Sequence, residues 1–396
     1  MKTNNGKARL IAALVIVSVI GVVSCKKNDS VTSTMQAPVC EPVRFTSTGV
    51  NGTYIVMLSN GSATSRSIQP ADQVRAVTND LFRKHSIETT QLDDVLNSIG
   101  TGFVARLSQQ QADELSTDSQ VQLVERDRVI ILDNGCFSVV APSTAQWGVR
   151  MIGAGDGIGK RVWIIDTGVQ SDHPDLNVDK TLSRSFLATE TSYEDKNGHG
   201  THVAGIIGAL NNTGGVLGVA SGVSIIALKA LDGEGEGNSS SLIKALNYIG
   251  QNAQAGEVVN MSLGTDTIST ALDNAVLALA NKGLLFSIAA GNDAKKANLS
   301  SPARVNSPNV FTVSAIDSLG RFAKFSNFGN DVVDMAAPGV DIVSTWIGGR
   351  YARLSGTSMA APHVAGILVL KGKSITTKGN ATNDPDGVPD GIVTFY

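Results

Sequence analysis

Five short runs between residues 147 and 396 are apolar without alternation: RVWIID, VSIIALKAL, EVVNMSLG, LLFSIAAG and VFTVSAI. A strand wetted on one face alternates polar and apolar residues. Unbroken apolar runs instead read as strands covered on both faces, as in a parallel sheet sandwiched between helices. Segments with helical spacing lie between them, among them THVAGIIGAL, SSLIKALNYIGQNA and ISTALDNAVLALANKG. This alternation predicts a doubly wound α/β domain, whose ligand sites gather at the carboxyl ends of the strands. With 396 residues, the chain has room for that domain and a smaller one. Its 41 glycines and 17% charged residues suit many tight turns. A net charge of −3 offers no basic footprint for nucleic acid or an anionic membrane surface.

Residues 52–133 carry a different pattern. GTYIVML and GTGFVARLS read as strands, PADQVRAVTNDLFRKHS and QQQADEL as helices, and VQLVERDRVIILD as one or two further strands. The order β-α-β-α-β, with room for one more strand, suits a small α+β split βαβ unit of ferredoxin-like type. Residues 134–146 turn small and polar, as an exposed linker would.

The first residues are an export signal: Lys2, Lys7 and Arg9 precede a largely apolar run, Leu10 to Val23. Val22-Val23-Ser24-Cys25 resembles a bacterial lipobox, which implies a lipid on Cys25 and a membrane-anchored precursor; an ordinary signal with an incidental cysteine is the alternative. Cys40 and Cys136 remain. In an oxidising compartment they form either a disulfide, worth about 4–5 kcal/mol through loop closure, or two unpaired thiols. No cysteine follows Cys136, so no thiol nucleophile operates in the larger domain.

Three polar residues stand at strand or helix ends of that domain. Asp166 closes RVWIID, His199 opens a helix in DKNGHGTHVAG, and Ser358 lies in LSGTSMAAPHVAG, where small residues precede a helix. Each alone reads as turn or cap chemistry. Together they supply what a serine nucleophile requires, a base within reach and an acid to orient that base. A helix N-terminus also favours an oxyanion. The order Asp, His, Ser is one of three known for such triads. Residues 147–396 are therefore similar to a subtilisin-type serine protease, and STWIGG, KFSNFG and LSGTSMAAPHVAG bring the resemblance nearest the proteinase K branch.

The resemblance implies a subtilisin-like doubly wound, mostly parallel α/β fold preceded by an inhibitory propeptide. The expected boundaries are a lipoprotein signal at 1–24, a tether at 25–50, the propeptide at 51–133, a processing linker at 134–146 and the peptidase domain at 147–396. Asn292, in AAGND, is implied as an oxyanion donor beside Asp166, His199 and Ser358. His202 and His363 read as structural. Substrate strands are implied at Glu234, Gly235 and Glu236 and at Ser262, Leu263 and Gly264. A side-chain pocket is implied at Ala289, Ala290, Gly291, Pro302 and Ala303, with no charged residue evident at its floor and hence an apolar preference. The partners implied are protein and peptide substrates and the chain's own propeptide. Structural calcium is implied on Asp334 with the carbonyls of Pro308 and Val310, although RVNSPNV is longer than the family's segment, which leaves those two open. The aspartates at 384, 386 and 390 read as a cation loop or a solvated turn. A catalytically dead binding lipoprotein would have lost a member of the set, and an α/β-hydrolase would need a GxSxG elbow preceding its histidine; neither condition holds.

Overall fold

The computed structural model describes residues 41–59, 69–142 and 146–396; the export signal, Cys25 and Cys40 lie outside the described residues. The N-terminal unit runs β1 (Arg44–Leu58), α1 (Ala71–Lys84), β2 (Leu92–Leu96), β3 (Gly102–Arg106), α2 (Gln109–Ser116) and β4 (Val121–Asp133). The additional strand, β2, carries Asp93 and Asp94, which strand propensity disfavours; it survives because it lies at the sheet edge. Strand β1 starts at Arg44, so residues 44–50, expected in the tether, belong to the sheet. Their polar sequence gives no strand pattern, but Arg44 to Gly49 are paired with Asp133 to Arg128 of β4. The unit has its own core, in which Phe82 and Phe103 meet edge to face at 5.4 Å.

The larger domain contains β5 (Ser138–Val139), β6 (Arg161–Asp166), β7 (Arg184–Ser185), α3 (His199–Gly208), β8 (Ser224–Lys229), β9 (Glu236–Asn238), α4 (Ser239–Asn252), β10 (Val258–Met261), α5 (Thr270–Asn281), β11 (Leu285–Ala289) and β12 (Val310–Ile316). It continues with β13 (Met335–Pro338), β14 (Ile342–Trp346), β15 (Arg350–Leu354), α6 (Thr357–Lys371), β16 (Thr376–Asn380) and β17 (Gly391–Thr394). Nine strands form one sheet in the order β16-β17-β13-β12-β11-β10-β6-β8-β7. All pairs are parallel except β16 with β17. The five apolar runs are its centre, buried at all but one position in each of three strands and throughout the other two, as their lack of alternation requires. The chain ends in the β16–β17 pair added to this sheet. Asp390, expected in a solvated turn or cation loop, is buried there and accepts from Ser314 Oγ at 2.5 Å.

The two units join through main-chain and carboxylate contacts. Strand β4 pairs antiparallel with β9, Glu236 opposite Ile131 and Asn238 opposite Val129. Further along β4, Asp127 accepts from Ser240 N at 2.9 Å and from the hydroxyls of Ser239 and Ser240, all at the start of α4. Glu125 accepts from Ala271 N at 3.0 Å and from Ser269 Oγ at the start of α5. Residues two apart on a strand share a face, so one strand delivers both acids to the positive ends of two helices. Among its described residues the linker is mostly exposed, as expected, yet between Phe137 and Val140 it is also docked: Ser138–Val139 pairs with β15, and Phe137 packs on Trp346 with ring centroids 4.7 Å apart.

Candidate active site

Strand β6 delivers Asp166 to the carboxyl edge of the sheet, where its Oδ1 lies 2.8 Å from Nδ1 of His199, the first residue of α3. Both side chains are buried. A buried carboxylate on Nδ1 orients the ring, selects the tautomer with Nε2 free, and favours the imidazolium when a proton arrives. Sequence reasoning missed what sets this distance. Asp195, also buried, accepts the backbone N–H groups of Asn197, Gly198 and Thr201, each at 2.9 Å, and so caps the helix. Thr167 donates its hydroxyl to Asp195 and accepts from Gly200 N, tying the end of β6 to the start of α3. Gly200 is required at this crossing, because a Cβ there would sit 2.1 Å from the Gly168 carbonyl oxygen.

Ser358 is the second residue of α6, buried, with its Oγ unpartnered; Nε2 of His199 is likewise buried and unpartnered among the described residues. A hydroxyl and an imidazole that exchange a proton during a reaction often tighten only when substrate is bound. Pro362 lies four residues beyond Ser358, so the carbonyl of Ser358 has no helical N–H to accept. Ser262 takes that place, donating Oγ to the Ser358 carbonyl at 2.8 Å, and is itself held by Asn260 Nδ2 at 2.9 Å. The residue expected to present a substrate edge thus also anchors the serine's backbone.

Asn292 follows β11 after a tight turn. Its Oδ1 accepts both the N–H and the hydroxyl of Thr357, at 2.8 and 2.9 Å, which leaves Nδ2 as the group facing the cleft. Asn327, another residue that the motifs did not single out, braces the turn. Its Oδ1 accepts from Asp293 N and Lys295 N, and its Nδ2 donates to the Ala290 carbonyl at 2.9 Å. His202 bonds the carbonyls of Ile342 and Ala352, and burial pushes it down to about 3; His363 bonds the Met359 carbonyl and is pushed by burial to about 4. Both remain neutral braces.

Of the expected substrate wall, Leu263, Gly264, Ala289, Ala290, Gly291 and Ala303 line one cleft of about 340 Å³ beside Asn292. Pro302 backs Gly264. Asp266 and Asp293, which the reading of the pocket floor did not name, also line the cleft. Lys295 stands 3.3 Å from Asp293, whereas Asp266 accepts from Ser47 Oγ at 2.6 Å. On the other edge the Gly235 carbonyl accepts from Leu132 N at 2.9 Å, and Glu234 is exposed. Asp334 accepts from Thr312 N at 2.8 Å, beside the start of β12, which is Val310. The Asp334 residue is exposed, yet partial desolvation without a cationic neighbour raises its carboxyl above the ordinary value. Among the described residues no three His, Cys, Asp or Glu side chains gather as a metal cluster. Cys136 is exposed and has no disulfide partner among the described residues; its expected partner Cys40 lies outside them.

The sequence profile of the subtilase family matches residues 157–376. The chain belongs to the subtilase family. The profile of the peptidase inhibitor I9 family matches residues 53–133, so the N-terminal unit of this subtilase is its inhibitor domain. A thermostable alkaline protease of Halalkalibacterium halodurans is 39% identical over 273 residues, covering 67% of this chain and 71% of that protein. Subtilisin E of Bacillus subtilis is 40% identical over 275 residues, covering 67% and 69%. A crystal structure of a cold adapted subtilisin-like serine proteinase matches with a TM-score of 0.57 and 36% identity, covering 64% of this chain and 99% of that one. This subtilase is accordingly a serine protease with a subtilisin-like α/β fold.

Proposed function

We propose that the protein is an exported serine endopeptidase, made as a precursor that processes itself, in which Ser358 attacks the peptide carbonyl. His199 takes the serine proton through Nε2 and later returns it to the leaving amine. Asp166 holds the ring and balances its charge. Asn292 Nδ2 and the free N–H groups at the start of α6 meet the oxyanion of the tetrahedral intermediate, and water then resolves the acyl-enzyme by the same proton path. The observation that carries this reading is the buried Asp166–His199 bond at 2.8 Å, with Asn292 oriented by Thr357 against the helix that bears Ser358.

Substrate would lie extended between Glu234–Glu236 and Ser262–Gly264, held by main-chain bonds. The alanines and glycines of the cleft favour an apolar side chain at the cleaved position. Calcium fits Asp334 with carbonyls near Val310, since a lone carboxylate supplemented by carbonyl oxygens suits a hard cation; bound there, it would stabilise the fold. A lipid on Cys25 would anchor the precursor, and cleavage between Phe137 and Gln146, beyond Cys136, would release the enzyme once the inhibitor domain leaves. The test is incubation of purified protein with a mixed peptide library. Internal cleavage after apolar residues, absent in Ser358→Ala, is expected; cleavage that persists in Ser358→Ala would refute the assignment.

A further inference from the structure

The leading end of the inhibitor domain lies in the cleft, where neither its sequence nor the expected tether put it. Val43, wholly buried, packs in the core of the peptidase domain. Its carbonyl accepts from Asn292 Nδ2 at 2.7 Å, and its N–H donates to the Ser355 carbonyl at 3.0 Å. Phe45 stands edge-on to the His199 ring with centroids 6.4 Å apart and forms one wall of the cleft. Ser47 donates to Asp266. The segment is also clasped from behind: Cys136 N donates to the Glu41 carbonyl at 3.1 Å, and a Cβ at Gly135 would lie 2.3 Å from that same oxygen.

We propose that residues 42–47 are an inhibitory strap, bound across the active site with a polarity that prevents its own cleavage. This rests on the assignment of Ser358, His199 and Asn292 above. Strand β4 is antiparallel to β9, and β1 is antiparallel to β4, so the strap runs parallel to β9 and opposite to the strand that leads into the linker. In acyl transfer, the residue whose carbonyl enters the oxyanion site is the one whose side chain enters the adjoining pocket. Here the carbonyl belongs to Val43 and the side chain at the pocket to Phe45, two residues toward the leaving-group side. The strap therefore fills the oxyanion donor without presenting a scissile bond in register. Asn292 Nδ2 cannot be given to a linker carbonyl while Val43 holds it, so the strap leaves before the linker, now docked on β15, is processed.

The test begins with full-length Ser358→Ala precursor, in which hydrogen exchange is read without any activity. The amides of residues 43–47 are expected to be protected, and Phe45→Ala in that background to speed their exchange about tenfold, the scale of one lost interaction. Unprotected amides in the parent precursor would overturn the proposal, whether or not the enzyme assignment holds. In wild type, fragment masses should show the linker cut while the Val43–Arg44 bond stays intact, and Phe45→Ala should process about tenfold faster. Cleavage at Val43–Arg44 ahead of the linker, or equal processing rates in a folded variant, would overturn it.

Discussion

The two domains meet at one cleft and contribute to it in different currencies. The peptidase domain brings side chains: a carboxylate at the end of β6, a histidine at the start of α3, a serine at the start of α6 and an amide after β11. The inhibitor domain brings the Val43 carbonyl and the Phe45 ring to that cleft and docks beside it through backbone and two carboxylates, pairing β4 with β9 and setting Asp127 and Glu125 on helix ends. Side-chain chemistry demands particular residue types at particular places, and so leaves motifs. Main-chain docking accepts many sequences, and so leaves almost none.

That contrast breaks most sharply at Ser358. Ser358→Ala should lower turnover by about 10⁶, the loss known for the corresponding subtilisin change, and should leave the precursor uncut; initial rates and intact mass check both. Asn292→Ala should cost about 10²–10³ in kcat, as for the oxyanion amide of subtilisin, with little change in KM. On the inhibitor side, Asp127→Ala removes the partner of three donors at the start of α4. By the worth of a helix cap, it should weaken inhibition of the mature enzyme by the cleaved inhibitor domain about tenfold, measured as an inhibition constant. An unchanged constant would mean that strand pairing alone carries the docking.

The smallest effect concerns a buried acid used for folding. Burial pushes Asp390 up to about 7, partly offset by its bond from Ser314 and reinforced by Asp384. A carboxyl raised in the folded state is more readily protonated there than in the unfolded chain. Stability is therefore lost as pH rises from about 4 through 7 and stays reduced above. Asp390→Asn should raise the melting temperature at pH 8 by about 2–4 °C in chelator and change it little at pH 4. An equal shift at both values would remove ionisation as the cause.

Much of the peptidase domain was legible because its strands are buried on both faces and its motif residues sit where strands and helices end. Asp166, His199 and Asn292 lie where the motifs put them, with Ser358 on the helix expected. The supports were not legible. Asp195, Thr167 and Asn327 act through backbone groups that only folding brings near, and nothing in DKNG or SNFG distinguishes a cap from a turn. Asp266 and Asp293 escaped because the pocket was read from its small residues alone. In the inhibitor domain, the two aspartates of β2 and the polar leading half of β1 obscure strands that owe their form to neighbours. One signal was available: Glu125 and Asp127 alternate on one face of β4, an unusual cost for a strand unless that face meets positive helix ends.

The most direct measurement is the mass of the processed enzyme after treatment with a serine-directed fluorophosphonate. A serine activated by His199 beside an oxyanion site should form one adduct, mapped to the peptide containing Ser358, and His199→Ala protein brought to the same processed form should react far more slowly. Failure of folded, processed enzyme to label, or an adduct on any other residue, would contradict the account.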